Sequence, residues 1–336
     1  MKKIFVFLAL SISLLVFSSC QLFSDPDIEN GLLGGLGNPG NNDNRDGWTS
    51  GKTITVEFVI DGVKETKSFG VGEKIEYPTP PEKENYIFSG WYYDEAGEKP
   101  AYLGTSLSDK VTLYALYTFN YREALNKVST DYIKACVGIE VIHQKTSFGV
   151  PTDSHKVTGS GVIFEEKDGT YYLLTNCHVT RTVSGYNKRI YSVVDCFGNS
   201  RDATLIAQSA EYDLALLSVR KETVALATLS FADSEAEAGD IVIAVGSPGG
   251  LDNNITFGNV NEIESQDSSA VGYLAFPVIW HSAPMDHGSS GGVLMNDKFE
   301  IIGINYAVGT SASTGDFICG LAVPCAKVLE FVSSNK

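Results

Sequence analysis

The sequence predicts an all-β protein in two parts, a small β-rich unit followed by a larger one. Two observations carry this. Short apolar runs rich in β-branched and aromatic residues recur along the chain, each closed by Gly, Pro, Asn or Asp. Strong helical periodicity is scarce. At 336 residues and 43 % hydrophobic content, the chain can bury two modest cores or one large one. A formal charge of −16 excludes nucleic acid as a partner, because phosphates would find nothing to neutralise them. It suits the solubility of an exported protein.

Residues 1–19 read as an export signal: Lys2 and Lys3 precede an apolar run from Ile4 to Phe17. That run is shorter than the ~20 residues of a membrane span. Cys20 follows Val16-Phe17-Ser18-Ser19, which resembles a bacterial lipoprotein signal in which the cysteine is acylated. Two or more acyl chains would hold the protein on a membrane surface. An ordinary secretory signal cut nearby is the rival reading. Residues 20–51 are rich in Gly, Asn and Asp and predict a flexible tether, with a root-mean-square span of roughly 30 Å.

Residues 52–118 predict a compact β unit. Thr53 to Ile60 alternates as a strand does, and Asp61-Gly62 is a hairpin turn signal. Tyr86 to Tyr92 and Val111 to Tyr117 are two further strands. Phe88-Ser89-Gly90-Trp91-Tyr92 ahead of Leu113-Tyr114-Ala115 resembles the Listeria–Bacteroides (internalin B-type) repeat. The resemblance implies a small β-grasp-like module of bacterial surface proteins, a spacer or adhesion module without a site of its own. From Asn120 to Tyr132, Tyr121, Leu125, Val128 and Tyr132 form one helical stripe behind an Asn120 N-cap.

The remainder, within residues 119–336, carries the chemistry. His287-Gly288-Ser289-Ser290-Gly291-Gly292 runs into the apolar Val293-Leu294-Met295. Glycines let a turn expose the Ser290 hydroxyl while the N–H groups of Gly288 and Ser290 face the site where negative charge develops in acyl transfer. Alone, the same pattern fits an ordinary glycine-rich turn. A nucleophilic serine needs a base and a group that orients the base. His178 ends the apolar strand Tyr171 to Thr175 with Asn176 and Cys177 between, and Asp213 opens Leu214-Ala215-Leu216-Leu217. The order His178, Asp213, Ser290 is that of the chymotrypsin architecture.

Thr175-Asn176-Cys177-His178-Val179, Asp213-Leu214-Ala215-Leu216-Leu217, Gly288-Ser289-Ser290-Gly291-Gly292 and Ile302-Gly303-Ile304-Asn305 resemble the trypsin-like serine proteases of the bacterial HtrA/Deg type. Thr158-Gly159-Ser160-Gly161-Val162 and Leu321-Ala322-Val323-Pro324 add to this, and the matches run in family order from about Ala135 onward. The resemblance implies a chymotrypsin-like double β-barrel with His178 as base, Asp213 as orienter and Ser290 as nucleophile. It implies protein or peptide substrates and no cofactor, and it allows a homotrimer; the Cys and His positions show no metal-ligand spacing, so no metal is expected. The family commonly adds PDZ domains after the protease, and a form lacking one is expected here. Ser289 stands where the family commonly has asparagine. By the family's pattern the pocket for the residue before the scissile bond is walled by Met285, Asn305 and Tyr306, suiting small or medium aliphatic side chains. Asp286 is the carboxylate that argues otherwise.

Of six cysteines, those other than Cys20 are odd in number and show no CxxC pair. Disulfides are permitted by export, but no pairing follows. Cys177 is the alternative nucleophile, weakened by sharing the loop of its own base. His143 is expected on a strand and His155 on a loop, with His281 and His287 near the cleft. Pro324 to Val332 reads as a closing helix. The function expected is thus an exported, membrane-tethered serine endopeptidase. The rival is a surface adhesion or binding lipoprotein whose protease fold is inactive.

Overall fold

The structure is a computed structural model that describes residues 52–102, 110–222, 225–246, 254–268, 272–311 and 313–336. The expected signal, Cys20 and the tether lie outside the described residues. Thr53–Lys336 is one compact unit.

The chain opens with a four-stranded mixed sheet of β1 (Thr53–Ile60), β2 (Val63–Gly70), β3 (Tyr86–Tyr92) and β4 (Val111–Phe119), in the order β2-β1-β4-β3. Asp61 and Gly62 both adopt left-handed φ, 48° and 76°, as a two-residue type I′ hairpin requires. Alternate residues of β1 then face one side, where Val56 and Phe58 pack with Leu113 and Trp91. The Trp91 ring meets Phe58 edge-on at 5.1 Å. Trp91 is core, and Phe88 packs over it while remaining 38 % exposed.

The helix after this sheet is α1 (Tyr121–Thr130), capped by Asn120, whose side-chain oxygen accepts from Glu123 N–H at 3.2 Å. Its buried face differs from the expected stripe. Ala124 and Val128 enter the core, whereas Tyr121 and Leu125 are 45 % and 43 % exposed. The helix seats on its small residues, and the Tyr121 ring meets Phe257 edge-on at 5.4 Å. The sheet is also tied to the turn at Asp297: Tyr86 OH donates to the Asp297 carboxylate at 2.6 Å and Asn85 Nδ2 to its carbonyl at 2.8 Å.

Two closed six-stranded barrels follow. The first contains β5 (Cys136–Ser147), β6 (Val150–Lys167), β7 (Thr170–Thr175), β8 (Lys188–Val194), β9 (Ser200–Ser209) and β10 (Leu214–Arg220). The second contains β11 (Ile241–Gly246), β12 (Asn254–Glu264), β13 (Val278–His281), β14 (Val293–Met295), β15 (Ile301–Thr310) and β16 (Phe317–Pro324). A short helix α2 (Cys177–Thr180) leaves β7, and α3 (Cys325–Asn335) closes the chain.

The strand period explains how the barrels join. Leu173 and Leu217 point into the first barrel with Ile139 and Val193, while Leu174 and Leu216 on the opposite faces meet Ile243, Val293 and Ile304 of the second. Strands buried on both faces read as unbroken apolar runs, which accounts for Leu214 to Leu217. His155 is a correction: it lies in β6, directly opposite His143. The outer end of β6 is polar and exposed, so only its pairing with β5 makes it a strand.

Candidate active site

β7 and β10 are antiparallel neighbours with Thr175 opposite Ala215. That register brings the end of one strand and the start of the other to the same rim, so His178 and Asp213 meet. Asp213 adopts φ 49°, a left-handed conformation that aspartate tolerates. Its carbonyl accepts from Asn176 Nδ2 at 2.9 Å and from Cys177 N–H at 3.2 Å. Its carboxylate holds the histidine twice, taking the His178 backbone N–H on Oδ1 at 2.9 Å and approaching ring Nδ1 with Oδ2 at 2.7 Å. A carboxylate accepts, so Nδ1 carries the proton and Nε2 is left as the basic nitrogen. The Asp213 side chain is 15 % exposed and that of His178 35 %, a shielded orienter beside an accessible imidazole.

Ser290 sits on the turn between β13 and β14. Gly288 and Gly291 have φ of 97° and 84°. Within the turn, Ser289 N–H donates to Asp286 O at 3.0 Å, Gly292 N–H to Ser289 O at 2.9 Å, and Gly291 N–H to Asn305 O at 2.8 Å. No acceptor among the described residues takes the N–H groups of Gly288 and Ser290. The Ser290 hydroxyl donates to the Tyr306 carbonyl at 3.5 Å. His178, Asp213 and Tyr273 line a cavity of about 390 Å³. Ser290, Met285, Asp286 and His287 line another of about 650 Å³. The two share Tyr306 and Ala307, so histidine and serine border adjoining hollows along one segment of β15.

Of the expected pocket residues, Met285 and Tyr306 line these hollows. Asn305 does not. It is fully buried, accepting from His281 at 3.1 Å through Oδ1 and donating to Val293 O at 3.1 Å through Nδ2. The strand is irregular there: the register of β15 against β16 shifts between Asn305 and Ala307, so Asn305 turns inward to His281 while Tyr306 and Ala307 border the groove. His281 likewise leaves the cleft for the interior, while His287 stays at the groove. Cys177 is 6 % exposed and burial pushes its thiol up, so it offers no ready thiolate. Asn176, which tethers the Asp213 carbonyl, is assigned no role by sequence alone; its one signal is a polar residue at the end of an apolar strand, close to the histidine.

Burial pushes His281 down to about 4 from 6.5, outweighing its bond to Asn305. Ring Nδ1 is buried and unpartnered, so a second proton would find no acceptor. Between pH 6.5 and 4 the unfolded chain therefore binds a proton that the folded one refuses. Stability should fall as pH drops through that window, by about 3 kcal/mol in total, and not at higher pH. Urea titrations at stepped pH would show this slope. A His281→Gln variant with an equally steep slope would refute the assignment.

Residues 159–304 match the profile of the trypsin-like peptidase domain, in keeping with the two six-stranded barrels, and residues 55–116 match the Listeria–Bacteroides repeat domain. More particularly, the chain is similar to the periplasmic serine endoprotease DegP of Escherichia coli (strain K12), at 32 % identity over 176 residues, 52 % of this chain and 35 % of that protein. It is also similar to the serine protease Do-like HtrA of Bacillus subtilis (strain 168), at 32 % over 157 residues, 46 % of this chain and 34 % of that protein. The chain spans about a third of the length of these relatives. Among solved structures, the HtrA-type protease AlgW with a decapeptide is similar at a TM-score of 0.50 and 27 % identity, over 62 % of this chain and 65 % of that one.

Proposed function

We propose that this protein is a serine endopeptidase that hydrolyses peptide bonds through an acyl-enzyme on Ser290. The observation that carries the reading is the two-point hold of Asp213 on His178, which leaves Nε2 as a base at the groove. Ser290 Oγ turns from the Tyr306 carbonyl toward His178, gives up its proton to Nε2 and attacks the scissile carbonyl. His178 then passes that proton to the leaving amine. Asp213 stabilises the imidazolium formed meanwhile, and the N–H groups of Gly288 and Ser290 receive the oxyanion. Water completes the cycle by the same proton route in reverse, hydrolysing the ester and restoring the serine.

Export and a lipid anchor at Cys20 complete the reading, with the following segment as a tether to the membrane. The rival reading, a binding lipoprotein with an inactive protease fold, draws on one feature: the Ser290 hydroxyl rests on Tyr306 O. A fluorophosphonate probe separates the two. Labelling of the wild type that disappears in Ser290→Ala supports the enzyme. Absent labelling of folded protein, together with no casein cleavage after long incubation, refutes it.

A further inference from the structure

We infer that Ser160, on β6 of the first barrel, is a positioning residue that holds the Ser290 turn of the second barrel ready for the oxyanion; this rests on the reading of Ser290 as nucleophile. Ser160 is 1 % exposed, buried where the two barrels meet. Its backbone N–H donates to the Ser290 carbonyl at 2.7 Å, and its hydroxyl donates to the Gly288 carbonyl at 2.6 Å. Its own carbonyl accepts from Thr175 Oγ1 at 2.6 Å, which anchors it to the strand leading to His178. One residue therefore grips the carbonyls of both neighbours of Ser289, Gly288 and Ser290, and links them to the histidine's strand.

The grip matters because of what lies beside it. Only the two backbone torsions of Gly288 separate its pinned carbonyl from its own N–H, one of the two oxyanion donors. Glycine rotates there with little steric restraint, and φ of 97° is one of several conformations open to it. A donor that must be recovered from a flipped peptide at each turnover stabilises the transition state less than one already aimed. Fixing the Gly288 carbonyl removes that freedom. The contact is close on the other side too, since a Cβ on Gly291 would lie 2.2 Å from the Ser160 carbonyl. The hydroxyl supplies the second hold, on the Gly288 carbonyl.

The test compares wild type with Ser160→Ala and with Ser160→Cys, which keeps the volume but donates weakly. Rates are expressed per active site titrated by fluorophosphonate, so unfolded protein does not count. The expected result for both variants is a kcat lower by roughly 10- to 100-fold, the scale of a misplaced catalytic group. KM should be unchanged. Affinity for a peptide aldehyde, whose adduct carries the oxyanion, should fall by the same factor as kcat. A purely structural role would lower the melting temperature and the titratable fraction without moving kcat per site. Wild-type kcat and aldehyde affinity in both variants would overturn the inference and leave Ser290 as nucleophile. A wild type that neither titrates nor cleaves would overturn the nucleophile itself.

Discussion

Asp213→Asn should lower kcat by about 10⁴-fold while the protein stays folded. Both carboxylate oxygens accept from the same histidine, one from the backbone N–H and one from ring Nδ1. An amide has one acceptor and one donor. If its oxygen keeps the backbone N–H, its NH₂ faces the ring and forces the proton onto Nε2, capping the base. If it faces the other way, two N–H groups collide. Folding should survive because asparagine accepts the left-handed φ of 49° that this position imposes. Steady-state kinetics and thermal unfolding of the same preparation check both halves. A loss in kcat below tenfold would mean that Asp213 does not orient the base.

Gly291→Ala should be nearly as damaging, for a steric reason. The new Cβ would lie 2.2 Å from the Ser160 carbonyl and 2.3 Å from Thr175 Oγ1. Neither can yield easily, because they are bonded to each other within adjacent strands. The φ of 84° adds strain for any L side chain. A loss above about 3 kcal/mol is expected, with activity abolished as the serine turn lifts from the first barrel. Gly315→Ala is the control. Its φ of 75° is comparable, yet nothing lies within 4 Å of the added carbon, so the cost should be only about 1 kcal/mol. Equal losses in urea denaturation would show that conformation, not contact, governs Gly291.

Much of this was open to reading along the polymer. The Asp61-Gly62 hairpin, the Asn120 cap and the paired apolar strands of both barrels follow from short-range rules, since turn chemistry and side-chain alternation act over a few residues. The order of histidine, aspartate and serine could be read in the same way, and so could the glycines around Ser290. The failures share a cause. Nothing in Val150 to Lys156 marks a strand by hydrophobicity, and it becomes one only because β5 supplies the ladder. On α1 the expected stripe holds at Val128, but Ala124 is buried beside it where Tyr121 and Leu125 stay largely exposed, because the surface beneath admits only a small residue there.

Which way a side chain points was decided by the partner across the sheet. Asn305 and Tyr306 are adjacent, yet one bonds His281 in the interior and the other borders the groove. The bidentate hold on His178 needed the β7–β10 register, and the grip of Ser160 on the serine turn needed two barrels to touch. The first joins residues 35 positions apart and the second 128, separations over which no local preference operates. Residue types and their order therefore belong to the linear chain. The aim of each functional atom belongs to the packing, because hydrogen bonds depend on distance and direction that only the assembled barrels supply.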